Sequence, residues 1–447
     1  MKQFILTLFL TLLPFLTSAG SVKIDGIWYN LFSDVKTAEV THVPAGLYYG
    51  SIQIPEKVKN EGIEYRVTNI GWIAFFNCSG LISISIPNSV TNIDDDAFVN
   101  CSSLTSITIP NSVLSIGINA FFGCSGLTSI SIGSSVTDIG SYAFQNCTNL
   151  TSIMIPNSVT DIGSYAFQNC TNLTSIMIPN SVTNIGRDVF EGTAWYNNQP
   201  NGLVYAGKVA YKYKGELQAN THISLIENTL GIAADAFSGC SGLTSITIPN
   251  SVTTIGDGAF TNCPELTDVT CLAEHVTKSL QDEGLYTYSN AFDVSYIENA
   301  TLHVPSGSML SYENTPPWQY FGSIVEIPKF KLTYLIEGVE YKSFEFEEGE
   351  AIIPEPAPTK EGYTFLGWSE IPETMPANDV TIIGSFVLCG DANVDGVVNA
   401  VDVVEMVNYI RGNPSDNFNT KAADINGDKE IDSIDFDRVV NMIIGKD

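Results

Sequence analysis

Cysteine returns every 23 residues through the middle of this chain, at Cys78, Cys101, Cys124, Cys147 and Cys170. Thr193 falls on the next beat, and Cys240 and Cys263 resume the spacing after an irregular stretch. Most intervals repeat one pattern, Leu-x-x-Ile-x-Ile-Pro-Asn-Ser-Val-x-x-Ile, followed by Ala-Phe shortly before the next beat. So regular a period leaves one class of fold. The chain must form stacked coils, each unable to bury its apolar side chains alone and each completing the core of its neighbours.

The interval from Cys101 to Gly123 gives the layout of one coil. Leu104, Ile107 and Ile109 alternate inward as a short strand, and Pro110-Asn111-Ser112 turns the chain. Val113 and Ile116 point inward again, and Ala120-Phe121 closes the coil. The period and the Leu-x-x-Ile-x-Ile core predict a leucine-rich solenoid, mainly β, over residues 65–270. Val67 and Ile70 already match Val113 and Ile116, so the first partial coil begins near Tyr65. An open solenoid end is apolar, so residues 20–64 are expected to form an irregular cap, and 271–329 degenerate coils with a closing cap. Residues 147–169 recur almost unchanged at 170–192, the mark of a recent duplication. Between Thr193 and Gly239 the distance to the next cysteine is two periods plus one residue, which predicts two modified coils. One of them carries a hairpin turning at Ala206-Gly207.

The repeat also decides the cysteine chemistry. Equivalent residues in neighbouring coils lie about 4.8 Å apart with parallel Cβ vectors, whereas a disulfide needs Cβ atoms about 3.8 Å apart and facing. The repeat cysteines, and Cys271 at the second Ile position of its strand, are therefore expected to be buried thiols. Cys389 lies outside the pattern. The formal net charge of −29 excludes nucleic acid and anionic lipid as natural partners. Residues 1–19 read as a secretory signal, with Lys2, an apolar run from Phe4 to Leu16, and Thr17-Ser18-Ala19 as the small-residue cleavage site. Interrupted by Pro14, the run is short for a membrane span, and no second one follows. The mature chain is expected to be exported, without a transmembrane anchor.

Residues 330–387 change character. Tyr334, Ile336, Val339, Tyr341, Phe344 and Phe346 pattern as a hairpin, followed by a Pro-rich stretch and Gly362-Tyr-Thr-Phe-Leu-Gly-Trp368-Ser. A small, mostly β unit is expected there. Residues 388–447 contain two copies of an acidic loop followed by a helix. Asp391, Asn393, Asp395, Asn399 and Asp402 occupy positions 1, 3, 5, 9 and 12 of the first loop, with Gly396 at 6 and the Val397 carbonyl at 7. Asp424, Asn426, Asp428, Asp432 and Asp435, with the Glu430 carbonyl, repeat the set. Oxygen ligands at this spacing suit Ca²⁺. Lys429 replaces the Gly of position 6, which predicts strain and a weaker second site. Apolar residues at helical spacing follow each loop: Val403, Val404, Val407 and Ile410, then Phe436, Val439, Val440 and Ile443.

These loops make the tail resemble a type I dockerin, a small all-α calcium-binding module that docks to cohesin domains. In that family loop positions 10 and 11 face the cohesin. Here they are Ala400-Val401 and Ser433-Ile434, a departure from the commoner Ser-Thr that leaves the partner's identity open. The solenoid resembles the BspA-like leucine-rich repeat family through Leu-Thr-Ser-Ile-x-Ile-Pro-Asn-Ser-Val-Thr-x-Ile-Gly and Ala-Phe-x-x-Cys. That family implies a bacterial surface or secreted protein engaged in adhesion. The unit at 330–387 resembles an internalin B-type repeat, which implies a β-grasp-like spacer.

On the solenoid strands the outward positions are Ser83 and Ser85, Ser106 and Thr108, Ser129 and Ser131, Ser152 and Met154, Ser175 and Met177, and Ser245 and Thr247. This hydroxyl ladder is either a continuous binding face for an extracellular protein or glycan, or a solvated surface of β-compatible residues. The aromatic stretch at 194–216, with Trp195, Tyr196, Tyr205, Tyr211 and Tyr213, is a second candidate. His42, His222, His275 and His303 fall in unrelated contexts with no neighbouring nucleophile and no metal spacing, and no phosphate loop appears. The expected protein is a non-enzymatic binding or adhesion protein with two Ca²⁺ sites and a cohesin-type partner. The alternatives are a non-catalytic accessory of a cellulosome-like polysaccharide-degrading complex, or a structural spacer at the cell surface.

Overall fold

The computed structural model describes residues 19–43, 47–277 and 285–446. The expected export signal lies outside them apart from Ala19. The chain divides into two compact units at Glu326/Ile327.

The first unit opens with strands Ala19–Ile24, Ile27–Phe32 and Thr37–Thr41, paired antiparallel in that order. Ile27, Tyr29 and Leu31 alternate inward to close the end of the core. Strand Thr37–Thr41 pairs in parallel with Ile63–Ile70, and from there the coils stack. The stretch expected to be cap already contributes a rung, because Gly50–Gln53 pairs in parallel with Leu81–Ser85. Each later coil supplies one strand to this face and a two-residue strand to a second line of rungs. Ser115–Ile116, for example, lies between Asn92–Ile93 and Asp138–Ile139.

Between the two lines runs a column of phenylalanines. Phe75, Phe98, Phe121, Phe144, Phe167 and Phe190 stack face to face, with centroids 4.9 to 5.9 Å apart. All are fully buried, so each contributes about 1.5–3 kcal/mol of hydrophobic stabilisation. All nine cysteines are free thiols. Those of Cys101, Cys124, Cys147, Cys170 and Cys263 donate to the phenylalanine carbonyl of the preceding coil at 3.1 to 3.3 Å. Asn100 precedes its cysteine in the left-handed region (φ +58), the conformation that turns the chain from Phe98 toward the next strand.

In the irregular stretch, Thr193 is buried on the cysteine beat but bonds the Phe190 carbonyl of its own coil and caps helix Ala194–Asn197. Strands Gly202–Ala206 and Val209–Lys214 form the expected hairpin, with its turn one residue later than expected, at Gly207-Lys208. Gly207 (φ +64) stands at the first central position, where a II′-type turn requires a positive φ. Tyr211 takes the missing phenylalanine's place edge-on to Phe190, and its hydroxyl accepts from the Phe190 N–H at 2.9 Å. The column resumes at Phe237, Phe260 and Phe292.

At the far end Ser295 replaces cysteine and donates to the Phe260 carbonyl. Strands Asp268–Cys271, Thr301–Val304 and Ser323–Glu326 pair in parallel. Tyr312, Trp318 and Phe321 plug the core beneath them.

The second unit begins with a four-stranded sheet. Lys329–Ile336 and Val339–Glu347 form the expected hairpin, Val380–Leu388 lies parallel to the first of them, and Tyr363–Trp368 is antiparallel to Val380–Leu388. Its core is Leu332, Tyr334, Ile352, Met375 and Ile382, with Trp368 against it. The tail follows as helices Ala400–Ile410, Thr420–Ala423 and Ser433–Ile443. Its fully buried apolar residues, among those described, are Ala392, Met406, Ala422, Ala423 and Val439. Val404 and Ile410, part of the apolar spacing read from the sequence, stand exposed, because the helices share one narrow seam that Met406 and Val439 fill.

Candidate functional site

The two acidic loops share most of their hydrogen-bond pattern and differ in a few donors. Asn399 and Asp432, at position 9, are the N-caps of the two long helices. Asp402 and Asp435, at position 12, complete capping boxes from the N3 position. The carboxylates at position 12 are fully buried. Asp402 accepts from the Asn393 and Asn399 N–H groups at 3.1 and 2.8 Å. Asp435 accepts from Ile425, Asn426 and Asp432 at 2.8 to 3.2 Å. At position 1, Asp391 accepts from Asp395 and Gly396, and Asp424 from Gly427 and Lys429. Asp395 and Asp428 each accept from the residue two further on, Val397 and Glu430. Asn393 and Asn426 donate their amides to those same carboxylates.

Backbone N–H groups orient these carboxylates, but they carry no full positive charge. Among the described residues, Asp424, Asp428 and Asp435 bring carboxylate oxygens within 4.8 Å of one another. Three carboxylates so close, one of them buried, could hold a cation that offsets their mutual repulsion. An all-oxygen set of carboxylates, Asn amides and the Val397 or Glu430 carbonyl fits a hard divalent ion, Ca²⁺ above all. The residues therefore suit the metal.

The handicap expected of the second loop is shared by the first. Both loops need a positive φ at positions 4 and 6, and each has glycine at only one of them. Val394 (φ +58) and Gly396 serve the first loop, Gly427 and Lys429 (φ +71) the second. A non-glycine residue in this region costs about 1–2 kcal/mol. For a β-branched valine the position is a true outlier. Strain alone therefore does not rank the second loop below the first.

Ala400, Val401, Ser433 and Ile434 are all exposed at the starts of the two helices, Val401 and Ile434 by about half.

On the solenoid, Ser83, Ser85, Ser106, Thr108, Ser129, Ser131, Ser152, Met154, Ser175 and Met177 point outward and are exposed. Met154 and Met177 are register partners, 64% and 59% exposed. Ser245 and Thr247 share the outward orientation but are only half-exposed, because His222 covers Ser245. The face is longer than the sequence suggested. Ser51 extends it at one end, bonded to Ser83 at 2.8 Å. At the other end it gains His222, Ser224, Asp268, Thr270, Thr301 and His303.

The histidine reading needs correcting. Nδ1 of His222 lies 2.7 Å from Ser245 Oγ and Nε2 3.0 Å from Ser224 Oγ, while His303 Nε2 lies 3.4 Å from Asp268 Oδ1. Strand stacking brings Ser245 to His222 and Asp268 to His303 from 23 and 35 residues away, which a search for local neighbours misses, while Ser224 lies two residues from His222 on its own strand. Hydroxyls occupy both nitrogens of His222, so no carboxylate orients the ring as a base requires. Of the aromatic alternative, Tyr211 and Tyr196 are buried and pack edge-on against each other, while Trp195, Tyr205 and Tyr213 are half-buried against the core. That stretch is core, and no exposed platform remains.

No helix among the described residues is long and apolar enough to cross a membrane. Residues 51–197 and 207–309, more than half of the chain, match the BspA type leucine rich repeat region in six copies. Residues 389–444 match the dockerin type I domain, a calcium-binding module, and neither family is catalytic. No curated protein matches the chain. Among solved structures, it is similar to a leucine rich cell surface protein from Faecalibacterium prausnitzii (26% identity, 70% of this chain and 96% of that one, TM-score 0.40). It is also similar to a leucine-rich repeat protein from Bacteroides ovatus (23%, 69% and 100%, TM-score 0.31). A third is the leucine rich repeat protein of T. pallidum (21%, 57% and 86%, TM-score 0.27). With its coils and its tail both matched, the chain belongs to the BspA-type leucine-rich repeat proteins and ends in a type I dockerin domain.

Proposed function

We propose that this is an exported, non-enzymatic binding protein. Its solenoid face meets an extracellular protein or glycan, and its tail fastens it to a cohesin-type partner at or beyond the cell surface. The observation that carries this reading is the pair of acidic loops with the same ligand spacing, whose position-12 carboxylates are buried. Asp391, Asn393, Asp395, Val397, Asn399 and Asp402 would hold one Ca²⁺, and Asp424, Asn426, Asp428, Glu430, Asp432 and Asp435 the other. Bound there, the ion neutralises the loop carboxylates. Among the described residues the tail has five fully buried apolar side chains, three of them alanines, and a core that small ordinarily needs a metal or a crosslink to hold it. Ordered by the loops, the two helices present Ala400, Val401, Ser433 and Ile434 as the docking surface. The unit at 330–387, whose four-stranded mixed sheet supports the β-grasp-like reading, serves as the spacer in this proposal.

A second reading follows from the dockerin match: a non-catalytic accessory of an extracellular polysaccharide-degrading assembly. Both readings share one test. The full chain is passed over immobilised type I cohesins with Ca²⁺ and then with chelator. Capture that the chelator abolishes, and that Val401→Asp with Ile434→Asp also abolishes, is expected. No Ca²⁺-dependent capture by any cohesin, together with an unchanged circular dichroism spectrum on adding Ca²⁺, would remove the docking function. Binding of the captured chain to insoluble polysaccharide, and to no matrix protein, would favour the accessory role.

A further inference from the structure

A cavity of about 340 Å³ opens at the far end of the solenoid, lined by none of the outward strand-face residues and none of the tail. Tyr296 and Tyr320 wall it, each more than half exposed, and buried Phe292 lies at its floor. Asn290, Asp293 and Glu298 stand exposed at its rim. The volume falls in the range of small-ligand sites, about 300–1,000 Å³. Neither tyrosine ring belongs to the aromatic column, which here runs from Phe260 through Phe292 to Trp318 and Phe321. Both rings are therefore available to a ligand.

The backbone around the cavity places bulky left-handed residues where the other coils do not, since those coils hold theirs five residues before the beat, at Ile73, Tyr142 and Tyr165. In those coils the residue just before the cysteine beat sits in the left-handed region and is Asn or Gly, as at Asn100, Asn146, Asn169, Gly239 and Asn262. Val294 holds that place before Ser295 (φ +57), and Tyr296 follows, also left-handed (φ +52). Each departure costs about 1–2 kcal/mol, and strain of this kind collects where a particular side chain is needed.

We infer that this pocket binds a neutral pyranose residue of a glycan. Tyrosine faces pack against the C–H side of a sugar ring, a contact that requires a flat apolar surface with a polar edge. Carboxylates and an amide at the rim accept hydrogen bonds from adjacent hydroxyls, which charge assistance strengthens. Among the residues that line the cavity none is basic, so the rim repels uronic and sialic acids. A single lysine tip would leave much of the cavity unfilled. The site is separate from the ligand of the strand face and from cohesin docking.

The test is calorimetric titration of the full chain with neutral tetrasaccharides of β-linked glucose, mannose and xylose, with tetragalacturonate and a tetralysine peptide alongside. At least one neutral sugar is expected to bind, and Tyr320→Ala and Glu298→Gln to weaken it about tenfold or more. Tyr296→Gly relieves the backbone, so binding should be lost while Tm holds or rises, which separates recognition from folding. Val35→Ser, an exposed position at the opposite end of the solenoid and outside both proposed binding sites, should leave the affinity unchanged. The proposal fails if no neutral sugar binds, if Tyr320→Ala binds as the parent does, or if tetralysine or tetragalacturonate binds more tightly. Retained cohesin capture in that event would show that the docking reading stands apart.

Discussion

The thiol of Cys101 donates to the carbonyl of Phe75, 3.2 Å away and one coil earlier. The same carbonyl takes the Cys78 N–H of its own coil, so the thiol engages its second lone pair. The bond ties successive coils together from inside, where neither strand line reaches.

Replacing such a thiol tests its contribution. Cys147→Ala removes a fully buried side chain and its bond to Phe121. The loss should be about 1–3 kcal/mol from the missing bond and the small cavity. Cys147→Ser should cost less, since Ser295 already makes the equivalent bond to Phe260. Urea unfolding of the full chain measures both. Equal stability for Ala and Ser would show the bond to be idle.

Burial also fixes the response to alkali. It pushes Cys240 up to about 11, Cys263 to about 12 and Cys271 to about 11, from an ordinary 9.0. A group raised on folding supports the fold fully below its unfolded pKa and loses that support as pH climbs through the folded value. Tm should therefore fall steadily from pH 9 to 12. At pH 8 the native chain should show one fast-reacting thiol, the half-exposed Cys389, and nine in urea.

Asp94 behaves similarly at lower pH. Burial, then the negative charges of Glu39 and Asp95, push it up to about 6 from 3.8, against the opposing hydrogen bond from Asn69. Its support for the fold is complete below pH 3.8 and is lost as pH rises through 6. Asp94→Asn should raise Tm at pH 7 and change it little at pH 4. Scanning calorimetry at the two pH values checks the sign, and a fall at pH 7 would contradict it.

Val394 and Lys429 are the two non-glycine residues held at positive φ in the acidic loops. Replacing either with glycine should stabilise its loop by about 1 kcal/mol, with a matching gain of a few-fold in Ca²⁺ affinity at that loop. Titration followed by helicity and by calorimetry reads each site. A gain from Lys429→Gly alone would restore the weaker second site expected from the sequence.

The coils, their inward residues, the free thiols and the tandem loops were legible because each is a local pattern repeated at fixed spacing. Three features were not. The extent of the strand face was hidden because Ser51 pairs with Ser83 and Thr301 with Asp268 across 32 and 33 residues, which break the 23-residue count. The cross-strand company of His222 and His303 depends on which strands stack, not on sequence neighbours. The shared strain of the loops escaped notice because position 4 of each loop supplies no ligand, so Val394 and Gly427 carry no chemical signal. Tyr211 as a substitute for a missing phenylalanine likewise required the hairpin's geometry.

The near-copy at 147–169 and 170–192 places Ser152 opposite Ser175, Asp161 opposite Asn184 and Phe167 on Phe190, in the same register as the coils before it. A third copy spliced in between would meet the same partners on both sides and lengthen the rod by about 4.8 Å. Unequal recombination within the gene can thus lengthen or shorten this protein's reach without asking the fold to relearn anything.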